Sequence, residues 1–175
     1  SIVLLPETAE AAADMIRQVY ACTFMPHELY LPLPQTDLER LGIRMPNFVP
    51  VPVEAGMGPA ARLDAALARV GGDYTAVVPE GTPFYLVWVE DALHATLGGD
   101  GHIAYALGED APAPGAGFVL PTEVLTRVRR EAGGGPVDES LDAAGITVRA
   151  PAPEEYALRF DRALQEAQRQ EAEGS

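Results

Sequence analysis

The side chains that could do chemistry here are few. His27, His94 and His102 show no pair at metal-ligand spacing, such as i, i+4 on one helix, and read as structural or surface residues. Cys22 is alone, so it forms no internal disulfide and no thiolate metal site, and among the apolar residues of a helix it reads as a buried thiol. The serines are Ser1, Ser140 and Ser175, and no Gly-x-Ser-x-Gly turn raises one of them as a nucleophile. Neither Gly-x-Gly-x-x-Gly nor a P-loop run is present, which removes the common phosphate-cradling loops. What remains is carboxylates and arginines, 26 and 12 of them, and spacing alone sets none of them apart.

Elements that would position these residues can be read from periodicity. Ile2–Leu5 is a continuous apolar run ended by Pro6, the pattern of a buried parallel strand. Thr8 can cap the helix that follows, with Ala12, Met15, Ile16 and Val19 on one face. Residues 28–33 read as a second strand weakened by Pro32, and 36–41 as a short helix. Pro50 and Pro52 interrupt a third strand over Phe48–Val53 and assign it to a sheet edge. Pro59 opens the next helix, which Gly71-Gly72 closes. Tyr74–Val78 is the candidate for the sheet centre. A helix is expected over 84–97, with a strand over Phe84–Val89 as the alternative from β-propensity, then strands over 102–107 and 117–120, helices over 121–132 and 138–144, and a strand over 146–149. A last helix begins near Pro153, with Tyr156, Phe160, Leu164 and Ala167 in a stripe; packing against the sheet accounts for it, and a protein partner or self-association is the alternative. The expectation is one domain over residues 1–170 and a frayed tail over 171–175. Strand and helix alternate through the first half, which calls for parallel βαβ units.

The chain of 175 residues carries a formal charge of −14, and all 12 of its basic residues are arginine. Such a surface repels a phosphate backbone, so nucleic acid is not expected as a partner. Arg127, Arg129 and Arg130 form the one local cluster, near a helix end where cations favour the dipole. No apolar run approaches the ~18 residues of a membrane span, no signal peptide is read, and a cytoplasmic location is expected.

The order of segments resembles family 2 glycosyltransferases of the GT-A fold. Ser1-Ile2-Val3-Leu4-Leu5-Pro6 is similar to their opening strand and turn, and Glu28-Leu29-Tyr30-Leu31 to their Glu-led second strand. Gly58-Pro59-Ala60-Ala61-Arg62-Leu63 is similar to a Gly/Ala-Arg-Asn stretch. Gly72-Asp73-Tyr74-Thr75-Ala76-Val77-Val78 is similar to the strand that leads into an Asp-x-Asp motif. Gly117-Phe118-Val119-Leu120, Asp138-Glu139 and Gly145-Ile146-Thr147-Val148 match later pieces in order. The resemblance implies an α/β, Rossmann-like single domain with a mixed, mainly parallel sheet flanked by helices.

It also implies a site for a nucleotide-sugar, with Asp37, Arg62 and Glu80 toward the donor and Asp138 or Glu139 as base. This chain departs from that pattern. Where the family has an Asp-x-Asp pair for Mn²⁺ or Mg²⁺, it has Val78-Pro79-Glu80-Gly81, and Glu80 is the only candidate ligand. Leu33 stands where a base-binding Asp is expected, and Leu63 where Asn follows Arg. Each candidate also has a plainer reading. Glu80 is a turn residue, Asp37, Asp138 and Glu139 complement helix dipoles, and Arg62 pairs with Asp73 or Glu54 on the surface. The expectation is therefore a degenerate, non-catalytic domain without a cofactor, kept for protein interaction, assembly or regulation. Mn²⁺ or Mg²⁺ enters only if the domain is active. The alternatives are a divergent transferase and an unrelated α/β interaction module.

Overall fold

A computed structural model describes residues 1–84, 88–97, 99, 101–107 and 115–151. The expected last helix and tail lie outside the described residues.

The first strand, β1 (Ile2–Leu5), leads in three residues to α1 (Ala9–Cys22). Then follow β2 (Leu29–Pro34), α2 (Gln35–Leu41), β3 (Phe48–Val53), α3 (Pro59–Leu67) and β4 (Tyr74–Pro79). The second half holds α4 (Trp88–Leu97), β5 (Ile103–Ala106), β6 (Phe118–Pro121), α5 (Thr122–Ala132), α6 (Val137–Ala143) and β7 (Thr147–Arg149). Seven strands form one sheet in the order β3-β2-β1-β4-β6-β5-β7. The first four are parallel, β6 runs against both β4 and β5, and β7 is parallel to β5. Tyr74–Pro79 is the middle strand, as its sequence suggested.

Strand alternation divides the core into two layers. Ile2, Leu4, Leu29, Leu31 and Val78 face α1 and α4. Val3, Leu5, Tyr30 and Val77 face α3, α5 and α6. Trp88 is fully buried in the first layer, donating its indole N–H to Thr23 Oγ1 at 2.9 Å. Cys22 is half-buried at the end of α1 rather than enclosed. No described helix is long and apolar enough to cross a membrane.

The prolines act through the direction of the amides they remove. Leu29 N–H donates to Asn47 O, so by parallel alternation Val49, Val51 and Val53 turn their amides to β2. Pro50 and Pro52 then face the open edge, where no ladder donor is needed and another strand finds none. On the other side of β2, Pro32 faces β1, and pairing of these two strands stops after Val3↔Tyr30. Thr8 caps α1 by accepting the amide of Ala11, and Gly133 ends α5 in the left-handed conformation. Helix α3 stops at Leu67, four residues before the Gly71-Gly72 expected to end it, because Ala68 closes it with a tight turn.

Gly117 meets the end of β4 so closely that a Cβ would lie 2.8 Å from Val77 O. Gly117→Ala is expected to destabilise the domain by about 1–3 kcal/mol through this overpacking, read as a lower urea midpoint at unchanged m.

Candidate functional site

In an open α/β sheet, ligands sit outside the carboxyl ends of the strands where the strand order reverses. Here the reversal falls between β1, from which the chain winds out to β2 and β3, and β4 on its other side. The segments that meet at this crevice position are Pro6-Glu7-Thr8 after β1 and Glu80-Gly81 after β4.

Hydrogen bonds cross this crevice. Glu80 Oε2 accepts the amide of Glu7 at 2.6 Å, and the amide of Glu80 donates to Leu5 O at 3.3 Å. Arg62 reaches the same loop from α3, where its Nη1 donates to Pro6 O. Arg62 is 7% exposed, and its Nε is buried without a hydrogen-bond partner. Burial pulls the guanidinium below its ordinary pKa, and the charges of Glu7 and Glu80 push it back up. The expected surface pairing of Arg62 with Asp73 or Glu54 does not form, because the side chain turns inward under the β1 loop instead.

Arg62 and Glu80 are thus brought to one place, together with Glu7, which the sequence reading missed. The other candidates are elsewhere. Asp37 lies in the first turn of α2, in the α1 layer, where Arg40 Nη2 reaches it at 3.4 Å and Glu10 at 3.2 Å. Asp138 and Glu139 are exposed in the first turn of α6 and make no hydrogen bond or ion pair among the described residues. Among the described residues no group of three or more His, Cys, Asp or Glu side chains could hold a metal ion. His94 and His102 are exposed, and His27 is half-buried with Nδ1 2.9 Å from Met25 O.

A second polar centre sits beside α3. Arg129 is 3% exposed by side chain and pairs with Asp64 through Nε and Nη2, at 2.8 and 2.9 Å. Its Nη1 donates to Gly135 O, Pro136 O and Ser140 Oγ. One guanidinium therefore joins α3, α5, the glycine turn and α6, and it fixes the helix whose first turn carries Asp138 and Glu139. The sequence showed Arg129 only as part of a basic cluster; its burial carried no signal.

No protein-family model matches the sequence. No curated protein matches it. Solved structures do share the fold. The 2-C-methyl-D-erythritol 4-phosphate cytidylyltransferase of Thermus thermophilus superposes with a TM-score of 0.57 at 16% identity, over 93% of this chain and 98% of that one. CMP:2-keto-3-deoxy-manno-octonic acid synthetase, solved with CTP, gives 0.52 at 12% identity over 95% and 98%. Glucosyl-3-phosphoglycerate synthase from Mycobacterium tuberculosis, solved with Mn²⁺ and UDP, gives 0.50 at 15% identity over 92% and 75%. At these identities the likeness is one of fold, and the fold is GT-A-like.

Two substitutions check the geometry. Glu80→Ala is expected to cost about 0.5–1 kcal/mol, the net value of one partly solvated hydrogen bond, and to move the Glu7 amide resonance. An unmoved Glu7 signal would show that the bridge is not formed in solution. Arg129→Met is expected to cost about 2–3 kcal/mol in urea unfolding. That is less than the roughly 3–5 kcal/mol of a fully buried pair, because Asp64 can turn to water. The adjacent, exposed Arg130→Met should stay within about 0.5 kcal/mol.

Proposed function

We propose that this chain is a degenerate family 2 glycosyltransferase-like domain, non-catalytic, and retained for protein interaction, assembly or regulation in the cytoplasm. The supporting observation is the use made of Glu80 and Arg62. The resemblance sets both toward a donor, and in this structure both bond to the loop after β1. Glu80 holds the Glu7 amide and Arg62 holds Pro6 O. With Glu7 beside them, the crevice carries two carboxylates against one guanidinium, a balance that disfavours a diphosphate. A fold can outlast the site it once carried.

A second reading has its own observation. Arg62 Nε lacks a partner, and the exposed Glu80 carboxylate uses only one oxygen on the loop. A divergent transferase would place Arg62 on a donor phosphate and Glu80 on Mn²⁺ or Mg²⁺, with Asp138 or Glu139 as base.

A thermal-shift panel of UDP, GDP, CDP and dTDP and their sugars, with and without Mn²⁺, separates the two. A ligand of the native state at a hundredfold excess over Kd adds about 2.7 kcal/mol, several degrees for a domain of this size. The non-catalytic reading expects no shift and no sugar-nucleotide hydrolysis. An Mn²⁺-dependent shift, with hydrolysis lost in Glu80→Ala, would establish the transferase.

A further inference from the structure

On the α3–α5 side of the sheet, an open groove of about 440 Å³ runs between the two helices. That volume falls within the ~300–1,000 Å³ of small-molecule sites. Leu67 and Ala68 form one wall, Thr126 and Arg130 the other, and Gly133-Gly134 close the end, above the Asp64–Arg129 pair. Leu67 lies five residues along α3 from Arg62, about 8 Å by helical rise, so this groove is separate from the β1–β4 crevice.

The arginines are allotted unevenly. Arg17, Arg40, Arg62, Arg69, Arg129 and Arg149 each have a carboxylate, carbonyl or aromatic partner. Among the described residues only Arg44, Arg127 and Arg130 make no such contact. Two of those three are exposed neighbours on α5, at i and i+3, and Arg130 lines the groove.

The turn that closes the groove adds donors. Gly133, Gly134 and Gly135 have φ of 63°, 110° and 86°, a run that side-chain-bearing residues rarely adopt. A Cβ on any of them would meet nothing within 4 Å, so the backbone path, not crowding, calls for glycine. That path sends Gly135 O onto Arg129 and leaves the amides of Gly134 and Gly135 without an acceptor among the described residues. Successive free amides in a turn are suited to an anion.

We propose that this groove binds a small molecule with an oxyanion, carboxylate or phosphate, on an apolar body. Arg130 and the Gly134 amide hold the oxyanion, Arg127 beside them on α5 adds positive charge, Thr126 supplies a hydroxyl, and Leu67 and Ala68 receive the apolar part. Phenyl phosphate and phthalate, titrated into the intact chain by calorimetry and amide NMR, test this and distinguish the two oxyanions. At least one is expected to bind saturably and to shift Gly134 and Gly135. Its Kd should rise with salt and at least tenfold in Arg127→Gln/Arg130→Gln, a pair of exposed positions that leaves the fold intact. Ala68→Glu, an acid on the opposite wall, should weaken binding too, and Glu80→Ala should not change it. Absence of saturable binding by both probes overturns the proposal. So does an affinity unaltered by the arginine substitutions, or shifts centred on Glu7 and Glu80. The probes carry neither base nor diphosphate, so their failure leaves the reading of the crevice as it stands.

Discussion

Much of this molecule depends on how the chain leaves β1. The strand is buried on both faces, and Pro6 after it is buried as well, so the main-chain polar groups of this exit need partners from the protein. They come from segments far away in sequence: the amide of Glu80 for Leu5 O, Arg62 for Pro6 O and the Glu80 carboxylate for the Glu7 amide. Thr8 then caps α1 at once, so the same three residues set the start of the first helix. Support from the β2 side is missing there, because Pro32 has no amide to give β1. The β1–β4 seam therefore carries both the integrity of the sheet and the shape of the crevice.

The absence of lysine gives this arrangement its character. A guanidinium presents five donors in a planar fork, and Arg129 uses all three of its nitrogens: two parallel bonds to Asp64 and a third nitrogen shared among two carbonyls and a hydroxyl. An ammonium at the end of a flexible stem could not span three elements in this way. Such a node ties α3, α5 and α6 together beside the apolar layer they share through Leu63, Leu125, Val128 and Leu141. It also means that the acids opening α6 are presented by a rigid support, whatever they meet.

The fold was largely legible because strand periodicity, helix faces and proline positions all point to the same answer. Phe48–Val53 was assigned to an edge from Pro50 and Pro52, and the ladder direction gives the reason in detail. Element ends were less legible: α3 closes at Ala68 through its own backbone, and no residue type announces that. The site was legible only in part. Glu80 and Arg62 drew attention because the resemblance sets them where a metal-binding acid and a donor-side arginine are expected. Their actual partners are main-chain atoms of Pro6 and Glu7, and main-chain atoms have no sequence signature. The same holds for Arg129, whose burial depends on Asp64 and on a turn of three glycines that sequence alone reads as a helix stop.

What separates a donor site from a structural seam on this scaffold is local charge. Two unit charges about 5 Å apart interact by roughly 3 kcal/mol at an effective dielectric of about 20. A diphosphate beside Glu7 and Glu80 would be repelled by both carboxylates and attracted by Arg62, and the carboxylate terms are smaller than that figure because both groups are exposed to water. A divalent cation reverses the sum, since it converts the carboxylates from repulsive neighbours into ligands. Such an ion needs several oxygens converging at one point. Here Glu80 directs one of its two oxygens to the Glu7 amide, and Glu7 contributes to the bridge through its backbone rather than its side chain. The same glutamate that could begin a metal site already holds the Glu7 amide, and a gain in either role is a loss in the other.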